Sequence, residues 1–437
     1  MKRINNSVIA LSLFAGMVYT HAQEKKQLTL DEAVQLGIQN SKSLKIDAAK
    51  IEEATADLLE AKNRQLPELK VSGSYMYLPI KPTVDLKLPG VSSAGGPEVH
   101  QVAFGSANLS IPLYSGGKIK YGIQSAKYLV EASKLSTEND KIAIAYNVAQ
   151  AYNNLFKANQ SIKVLEENLT ASQKRDETFL KLENNGVIAR NDRLKANLQT
   201  SNIELQLLEA KNNYNIANIN MDLLLGLPDA TEIEVDQNYI DESDDVKTVD
   251  FYLNAARENR KDLQALDQQR KAAQLGTKSA KAENLPSIAL TGGYVAADIP
   301  KFLTVYNAVN VGVGISYNLS NLWKENSALK QSQAREMQLS ATNDLLNDNI
   351  KLDVNREYQN SDYSKKRIAV FEKSAEQANE NYRITKNKYD NGLATMTELL
   401  DADAAQISAN VGVINAKADA ALAYRKLLQT TGTLTIK

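Results

Sequence analysis

An alternation of apolar and polar residues near position 310 predicts a strand long enough to cross a membrane. Between residues 309 and 319 every odd position is apolar and every even position is small or polar. A period of two is typical of a β-strand whose two faces meet different surroundings. The segment also has the length of a tilted strand that spans a bilayer. Its apolar positions include Val311, Val313 and Ile315.

Three other segments carry the same alternation and predict partner strands. Their apolar positions include Val71, Tyr75, Leu109, Ile111, Leu290 and Tyr294. A soluble hairpin with one buried face also alternates, but the tyrosines at the strand ends favour a membrane, since aromatic residues collect at bilayer interfaces. Four strands cannot close a barrel within one chain, and open edges are not tolerated in lipid. Several subunits must then share one barrel, and three subunits would provide twelve strands.

Stretches without proline and almost without glycine predict very long helices. Residues 321–390 contain neither residue and are rich in helix-forming side chains,. As one helix they would extend about 100 Å. The matching stretch earlier in the chain runs from about residue 123 to residue 185.

The last predicted helix, about residues 396–429, carries an apolar seam on each of two opposite faces. A two-stranded coiled coil needs one seam, so two seams predict a neighbour on each side, as in a closed ring of helices. Polar residues that include Asp403, Lys417 and Asp419 fall between the seams, where we expect them to face water. A helix buried in a globular core is also apolar on two faces, but it is not usually this polar between them.

The chain contains its pattern twice. LPELKVSGSY at 66–75 matches LPSIALTGGY at 285–294, 219 positions later. Beyond the hairpin the offset falls to 206, so that Gly226 matches Gly432. The lost residues lie in a predicted loop, because loops tolerate insertions better than packed elements. We expect hairpin tips at 79–97 in the first copy and near residues 298–300 in the second.

Each long helix is predicted to end at an Asn–Gly turn, with the glycine in the left-handed conformation. The two turns contain Asn185, Gly186 and Val187, and Asn391, Gly392 and Leu393. Thr395 and Glu398 fit a capping box that starts the final helix. We expect both turns to lie at the opposite end of the molecule from the hairpins.

Glu398 and Asp401 lie one helical turn apart at this end of the chain. Around a threefold axis they would form two rings of carboxylates, which favour cations and repel anions. The capping box explains Glu398 without a gate, and a solvated acid favoured by the helix dipole explains Asp401. The first copy has Asp192 and Lys195 at these positions, so the acid pair is not repeated there.

The first 22 residues are typical of an export signal, with Lys2 and Arg3 before an apolar run and a small-x-small site ending at Ala22,. That run is too short to span a bilayer, and no other stretch approaches a transmembrane helix. We therefore expect export, with cleavage after Ala22.

Composition excludes most other classes of function. The chain contains no cysteine, and only His100 remains once His21 leaves with the signal. Cysteine metal sites and histidine clusters are excluded, and we predict no metal, no cofactor and no catalytic residue. Without Lys2 and Arg3 the net charge is about −3 from 49 basic and 52 acidic residues, which gives no support for nucleic-acid binding.

The tandem arrangement of helix, hairpin, long helix, turn and helix resembles the TolC-like outer membrane efflux proteins over nearly the whole mature chain. The segments that carry the resemblance are LPELKVSGSY, LPSIALTGGY, SIPLYSGGK at 110–118 and YDNGLATMTELLDAD at 389–403. The last is close to the family pattern Y-x-x-G-x-x-x-x-x-x-L-L-D-A. The lipid-bearing cysteine of many efflux members is missing.

The resemblance implies a mainly α chain with a small β part, which forms a homotrimer. It implies a twelve-stranded β-barrel in outer-membrane lipid, with four strands from each chain, and an α-barrel across the periplasm. It also implies a periplasmic adaptor that docks at the helical tips, including Thr395, and an inner-membrane pump reached through that adaptor. Asp401 and Glu398 match positions whose acids line the closed periplasmic entrance.

These observations predict an exit duct with a signal at 1–22, a first repeat at 23–230, an equatorial linker at 231–250 and a second repeat at 251–437. A soluble periplasmic coiled-coil adaptor or structural protein is the main alternative, although it need not be duplicated and should lack paired hairpins. An enzyme would need a catalytic cluster for which no motif is present.

Overall fold

The computed structural model describes residues 25–80, 99–228, 231–240, 246–300 and 302–435. The predicted signal at 1–22 lies outside the described residues, as does most of the predicted loop tip at 79–97. In the described part the chain is mainly helical, with a small strand content, and it is built from two similar copies.

The elements of the two copies follow the same order. The first copy contains β1 (Lys25–Leu28), α1 (Leu30–Asn40), α2 (Lys42–Asn63), β2 (Glu68–Tyr77), β3 (Gln101–Tyr114), α3 (Lys118–Asn184) and α4 (Arg190–Leu225). The second contains β4 (Glu232–Val235), α5 (Val249–Asn259), α6 (Lys261–Ala282), β5 (Ser287–Ile299), β6 (Leu303–Ser316), α7 (Ser327–Asp390) and α8 (Met396–Thr430). Short 3₁₀ helices lie at Gln237–Ile240 and Leu319–Leu322.

Matched glycines lie where the end of each copy contacts the end of the first helix of that copy. Gly226 and Gly432 both adopt positive φ, at 66° and 71°, just after the last helix of their copy. A Cβ on Gly226 would lie 2.9 Å from Cβ of Asn40, and one on Gly432 would lie 3.0 Å from the backbone of Asn259. The repeated residues are therefore those at which the end of a copy meets its beginning, where only glycine leaves room.

The strands form one antiparallel sheet in the order β2-β3-β5-β6. The predicted turn near residues 298–300 is confirmed, because β5 ends at Ile299 and β6 begins at Leu303. The prediction for β6 was wrong at both ends, since the strand starts six residues before Val309 and stops before Tyr317. An extra residue near Asn307, whose φ is 57°, shifts the register and breaks the alternation that the sequence shows further along,.

The long helices are confirmed, but their starts differ from the prediction. α3 has 67 residues and α7 has 64, so each extends about 100 Å,. α3 starts at Lys118 and accommodates Gly122, whereas α7 starts six residues after Asn321. The side chain of Asn326 accepts a hydrogen bond from Leu329 N at 2.8 Å and fixes that start. Composition permitted a longer helix, and the cap decided where it begins.

A large core lies at the middle of α3, where residues of the predicted linker at 231–250 pack against the helix. Tyr152, Leu155 and Phe156 are almost fully buried there and pack against β4 and α8. β1 pairs in parallel with β4, and the Tyr152 hydroxyl donates to Leu28 O at 2.8 Å and accepts from Asp236 N at 2.7 Å. Burial raises the pKa of Tyr152 to about 12, so this cross-link stays protonated.

The prediction of two neighbours for α8 is confirmed, because the helix packs against α3 and α7. Lys417 and Asp419 between its seams are partly exposed, as predicted, and they also pair with the neighbouring helices. Asp419 pairs with Lys157 on α3 at 2.8 Å, and Lys417 pairs with Glu372 on α7 at 2.9 Å. The long basic side chains reach across the gap between helices, so each polar position links α8 to a neighbour.

Among the described residues, no helix is both long enough and apolar enough to cross a membrane.

Candidate functional site

Both predicted turns lie at the end of the helices and have the same geometry. Gly186 and Gly392 have φ of 71° and 73°. In the first turn Gly186 N donates to Glu183 O at 2.9 Å and Val187 N donates to Leu182 O at 2.8 Å. The second turn repeats both bonds at 2.9 and 2.8 Å. This pair of bonds defines the Schellman motif, which satisfies the last carbonyls of a helix.

The residue after each glycine is apolar and faces outward. Val187 is 66% exposed and Leu393 is 78% exposed. In a Schellman motif this position often packs back on the helix, and here it does not. Each turn therefore presents one unpacked apolar side chain beside the polar groups of Asn185 and Asn391. We call these two turns the tip.

A small core joins the two turns into one unit. Phe179, Ala196 and Met396 are buried together, with Ile188, Leu400 and Tyr389 packed against them. The rings of Phe179 and Tyr389 meet edge to face, with 5.9 Å between centroids. Lys195 Nζ also donates to the Thr397 hydroxyl at 3.4 Å. The two copies thus meet at the tip through packing that no local motif specified.

The predicted capping box is confirmed. Glu398 N donates to Thr395 Oγ1 at 3.2 Å, while Thr395 N donates to Glu398 Oε2 at 2.6 Å and the Thr395 hydroxyl at 2.9 Å. Hydrogen bonds from the Thr395 backbone and side chain hold the pKa of Glu398 below its ordinary value of 4.5. Glu398 is exposed and ionised at neutral pH, and so its cap and its charge coexist. Asp401 is exposed one turn further along.

Asp403 is the clearest correction at the tip. Its side chain is buried, and its Oδ2 accepts from Arg175 Nη2 at 2.7 Å. Arg175 also donates to the Tyr382 hydroxyl at 3.4 Å. One guanidinium therefore connects α3, α7 and α8 just above the tip. No signal in the sequence joins positions 175 and 403, which only the helix packing brings together.

The sheet brings the predicted membrane residues onto one face. Residues directly opposite in an antiparallel pair point to the same side. Val71 lies opposite Ala107, which lies opposite Tyr294, and Tyr294 lies opposite Val309. The residues that share this face include Val71, Tyr75, Leu109, Ile111, Leu290, Tyr294, Val311, Val313 and Ile315.

The other face of the sheet carries polar groups at its centre, although Met76, Phe104 and Val295 also lie on it. Ser72 and Ser106 lie directly opposite each other, with 2.8 Å between their hydroxyl oxygens, and Asn108 donates to Ser106 at 3.2 Å. Gly293 lies between Asn108 and Asn310, where a Cβ would come within 3.2 Å of both side chains. The sheet thus separates an apolar side from a hydrogen-bonding side.

A family model described as outer membrane efflux protein matches residues 33–227 and 252–433. These segments cover most of the chain and leave the equatorial region between them. The chain belongs to the outer membrane efflux protein family. Its location is therefore the bacterial outer membrane, with a periplasmic helical part, and its function is that of an outer-membrane efflux channel.

Solved structures agree on the fold. The outer membrane protein VceC from Vibrio cholerae is 19% identical with a TM-score of 0.77, over 92% of this chain and 96% of VceC. The outer membrane channel CmeC from Campylobacter jejuni is 18% identical with a TM-score of 0.74, over 93% and 86%.

The open state of the outer membrane channel MtrE from Neisseria gonorrhoeae is 18% identical with a TM-score of 0.73, over 93% of this chain and 89% of MtrE. No curated protein sequence matches the chain.

Proposed function

We propose that three copies of this chain form the exit duct of a tripartite efflux or secretion system. The duct is a passive conduit, and a periplasmic adaptor opens it at the tip while an inner-membrane pump supplies the energy. One observation carries this proposal. Within the described residues, the sheet ends on each side in a strand with one unpaired edge, and the outermost helices carry rows of exposed apolar residues.

The sheet has two free edges, β2 and β6, within the described residues. Edge strands leave backbone donors and acceptors without partners, which is not tolerated in lipid. Pairing β6 of one copy with β2 of the next would satisfy both edges. Three copies would then close twelve strands, with the apolar face toward lipid and the Ser72 face toward a water-filled lumen.

The helices have matching free edges. On the side of the sheet that leads to the tip, the four long helices pack in the order α4, α3, α8, α7. Helices α4 and α7 are therefore outermost. Exposed apolar residues of α4 follow helical spacing: Leu194, Leu198, Leu205, Leu208, Ile216, Ile219 and Leu223. Those of α7 do the same: Met337, Leu345, Leu352, Tyr363, Val370 and Ile384. Two such seams bury each other when neighbouring copies meet.

The tip supports adaptor docking. Val187 and Leu393 are exposed apolar side chains on a rigid turn, and a partner that covers them would remove apolar surface from water. We expect Val187→Ser with Leu393→Ser to lose a periplasmic partner that co-purifies with the tagged wild-type chain. Phe251→Ser on α5 is the control, since it alters an exposed aromatic residue outside the tip. Retention of the partner by the tip variant would contradict docking there.

The acids at the start of α8 support a cation-selective entrance. In a trimer Glu398 and Asp401 would form two rings of like charge, which attract divalent cations. We expect Glu398→Gln with Asp401→Asn to raise conductance and weaken divalent-cation block in planar bilayers. The side-chain oxygen of glutamine can still accept the hydrogen bond from Thr395 N. The variant therefore removes the charge of Glu398 without removing the helix cap. Asp192→Asn with Lys195→Gln is the first-copy control, and unchanged block in the α8 variant counts against the gate.

The paired hairpins argue against the alternative of a soluble periplasmic coiled-coil protein, and labelling of the sheet tests this. The chain has no cysteine, so single cysteines report without background. We expect Gly312→Cys to react with a water-soluble maleimide in intact outer membranes and Val313→Cys to be protected by lipid. Equal reaction at both positions, or recovery of the protein from the soluble periplasm, would contradict the channel.

A further inference from the structure

A buried carboxylate lies at the bottom of a cavity between α2, α3, α6 and α7. Asp47 is only 4% exposed and lines this cavity of about 820 Å³. Lys50 Nζ donates to its Oδ1 at 2.9 Å. Its Oδ2 is buried and has no hydrogen-bond donor within the described part of the chain. A buried carboxylate oxygen without a hydrogen-bond donor lowers the stability of the fold. We therefore expect a nearby group that could donate to this oxygen.

A second acid lies beside that carboxylate. Asp140 on α3 also lines the cavity and lies within hydrogen-bonding reach of Asp47. Two ionised carboxylates can only accept hydrogen bonds. A proton on one of them turns the same contact into an O–H···O⁻ bond, which is short and strong. One proton would therefore satisfy Oδ2 of Asp47.

The second copy shows that the fold does not need acids here. The offsets of 219 and 206 residues place Leu266 and Leu346 at the positions of Asp47 and Asp140. When all members of a buried charged cluster are replaced together by apolar residues of similar volume, stability is often kept. The first copy thus carries two acids where the same architecture accepts two leucines.

We propose that Asp47 and Asp140 share one proton and form a pH-sensitive fastener between α2 and α3. Lys50 pairs with Asp47, and Asp140 holds the proton and donates to Oδ2 of Asp47. When the proton leaves, two negative charges face each other across the helix contact, and the contact weakens.

The surroundings favour the protonated pair. Burial, and then the charge of Asp47, raise the pKa of Asp140 above its ordinary value of 3.8. α2 contributes Lys50 to the lining and α7 contributes Arg335, while the lining residues from α6 are uncharged. Lys50 is already engaged with Asp47. A raised pKa means that this contact is fully present below pH 3.8 and is lost as pH rises through the folded-state pKa of Asp140,.

The test uses the full chain in detergent, with two readouts. We expect an infrared band of a protonated carboxyl in the wild type that persists above the ordinary titration range of aspartate and disappears in Asp140→Asn. We also expect the thermal midpoint of the wild type to fall as this band titrates away. Asparagine donates to Asp47 at every pH, so Asp140→Asn should lack that fall.

Asp348→Asn is the matched control, because Asp348 pairs with Lys351 at the same spacing but is exposed. Asp348→Asn should keep both the infrared band and the decrease in thermal midpoint with rising pH. Asp47→Leu with Asp140→Leu copies the second repeat, so it should fold and lose both signals. Absence of the band in the wild type, or a wild-type pH profile in Asp140→Asn, overturns the proposal.

Discussion

The two turns of the tip end their helices alike and begin the next helices differently. Both use a Schellman motif with glycine at positive φ. α8 then starts with the Thr395–Glu398 capping box, whereas α4 starts at Ala189, whose side chain makes no cap. The two copies therefore share the motif that ends the long helix. Only the second copy has a side-chain cap at the start of the next helix. The stronger start lies beside the two acids proposed for the entrance.

The largest expected effect is loss of the link between the copies. Arg175→Ala leaves Asp403 buried without its partner, which costs about 3–5 kcal/mol for buried pairs. We expect amides of α3 and α8 around this pair to exchange hydrogen faster. Arg383→Ala removes an exposed pair with Glu380 and should leave exchange almost unchanged, because solvent screens exposed ion pairs. Similar effects for both variants would mean that the buried link does not hold the copies together.

The two glycines should respond equally, since their geometry is the same. Alanine at positive φ costs about 1–2 kcal/mol, and a Cβ at either position meets no atom within 4 Å. Gly186→Ala and Gly392→Ala should therefore weaken amide protection in the last turn of their helices to the same degree. A clear difference between them would show that the turns are not equivalent in the assembled protein.

The caps should respond in opposite directions. Thr395→Ala removes the side-chain cap of α8 and should cost about 1 kcal/mol. Ala189→Ser offers a cap that α4 lacks and should stabilise its first turn by a similar amount. Hydrogen exchange in the first turn of each helix measures both effects. Protection of α4 that does not increase would show that its start is limited by something other than the cap.

The smallest effect concerns pH. The pKa of Glu398 is held below its ordinary value of 4.5, so its cap contributes fully above that value and is lost as pH falls through the folded-state pKa,. Backbone and side-chain hydrogen bonds from Thr29 also lower the pKa of Glu32 in the capping box of α1, which serves as a reference. We expect acid to loosen the first turns of α8 and α1 and to spare that of α4, as measured by exchange against pH.

Local signals predicted the turns and the helix cap better than the contacts between elements. The Asn–Gly turns, the Thr395 cap and the strand alternation all depend on residues close in sequence, and each was confirmed. The start of β6 was missed because the bulge near Asn307 shifts the period. The burial of Asp403 was missed because its partner, Arg175, is 228 positions away.

The sequence by itself determined the repeat, the long helices, the tight turns and the two-faced strands, because each follows from spacing along one element. Only the tertiary structure decided which charges pair between helices, as in Arg175–Asp403 and Lys157–Asp419. It also decided that the nine predicted membrane residues share one face, which depends on strand register. The packing of α2 on α3 likewise brings Asp47 close to Asp140. No pattern along either helix predicts that the two acids are neighbours.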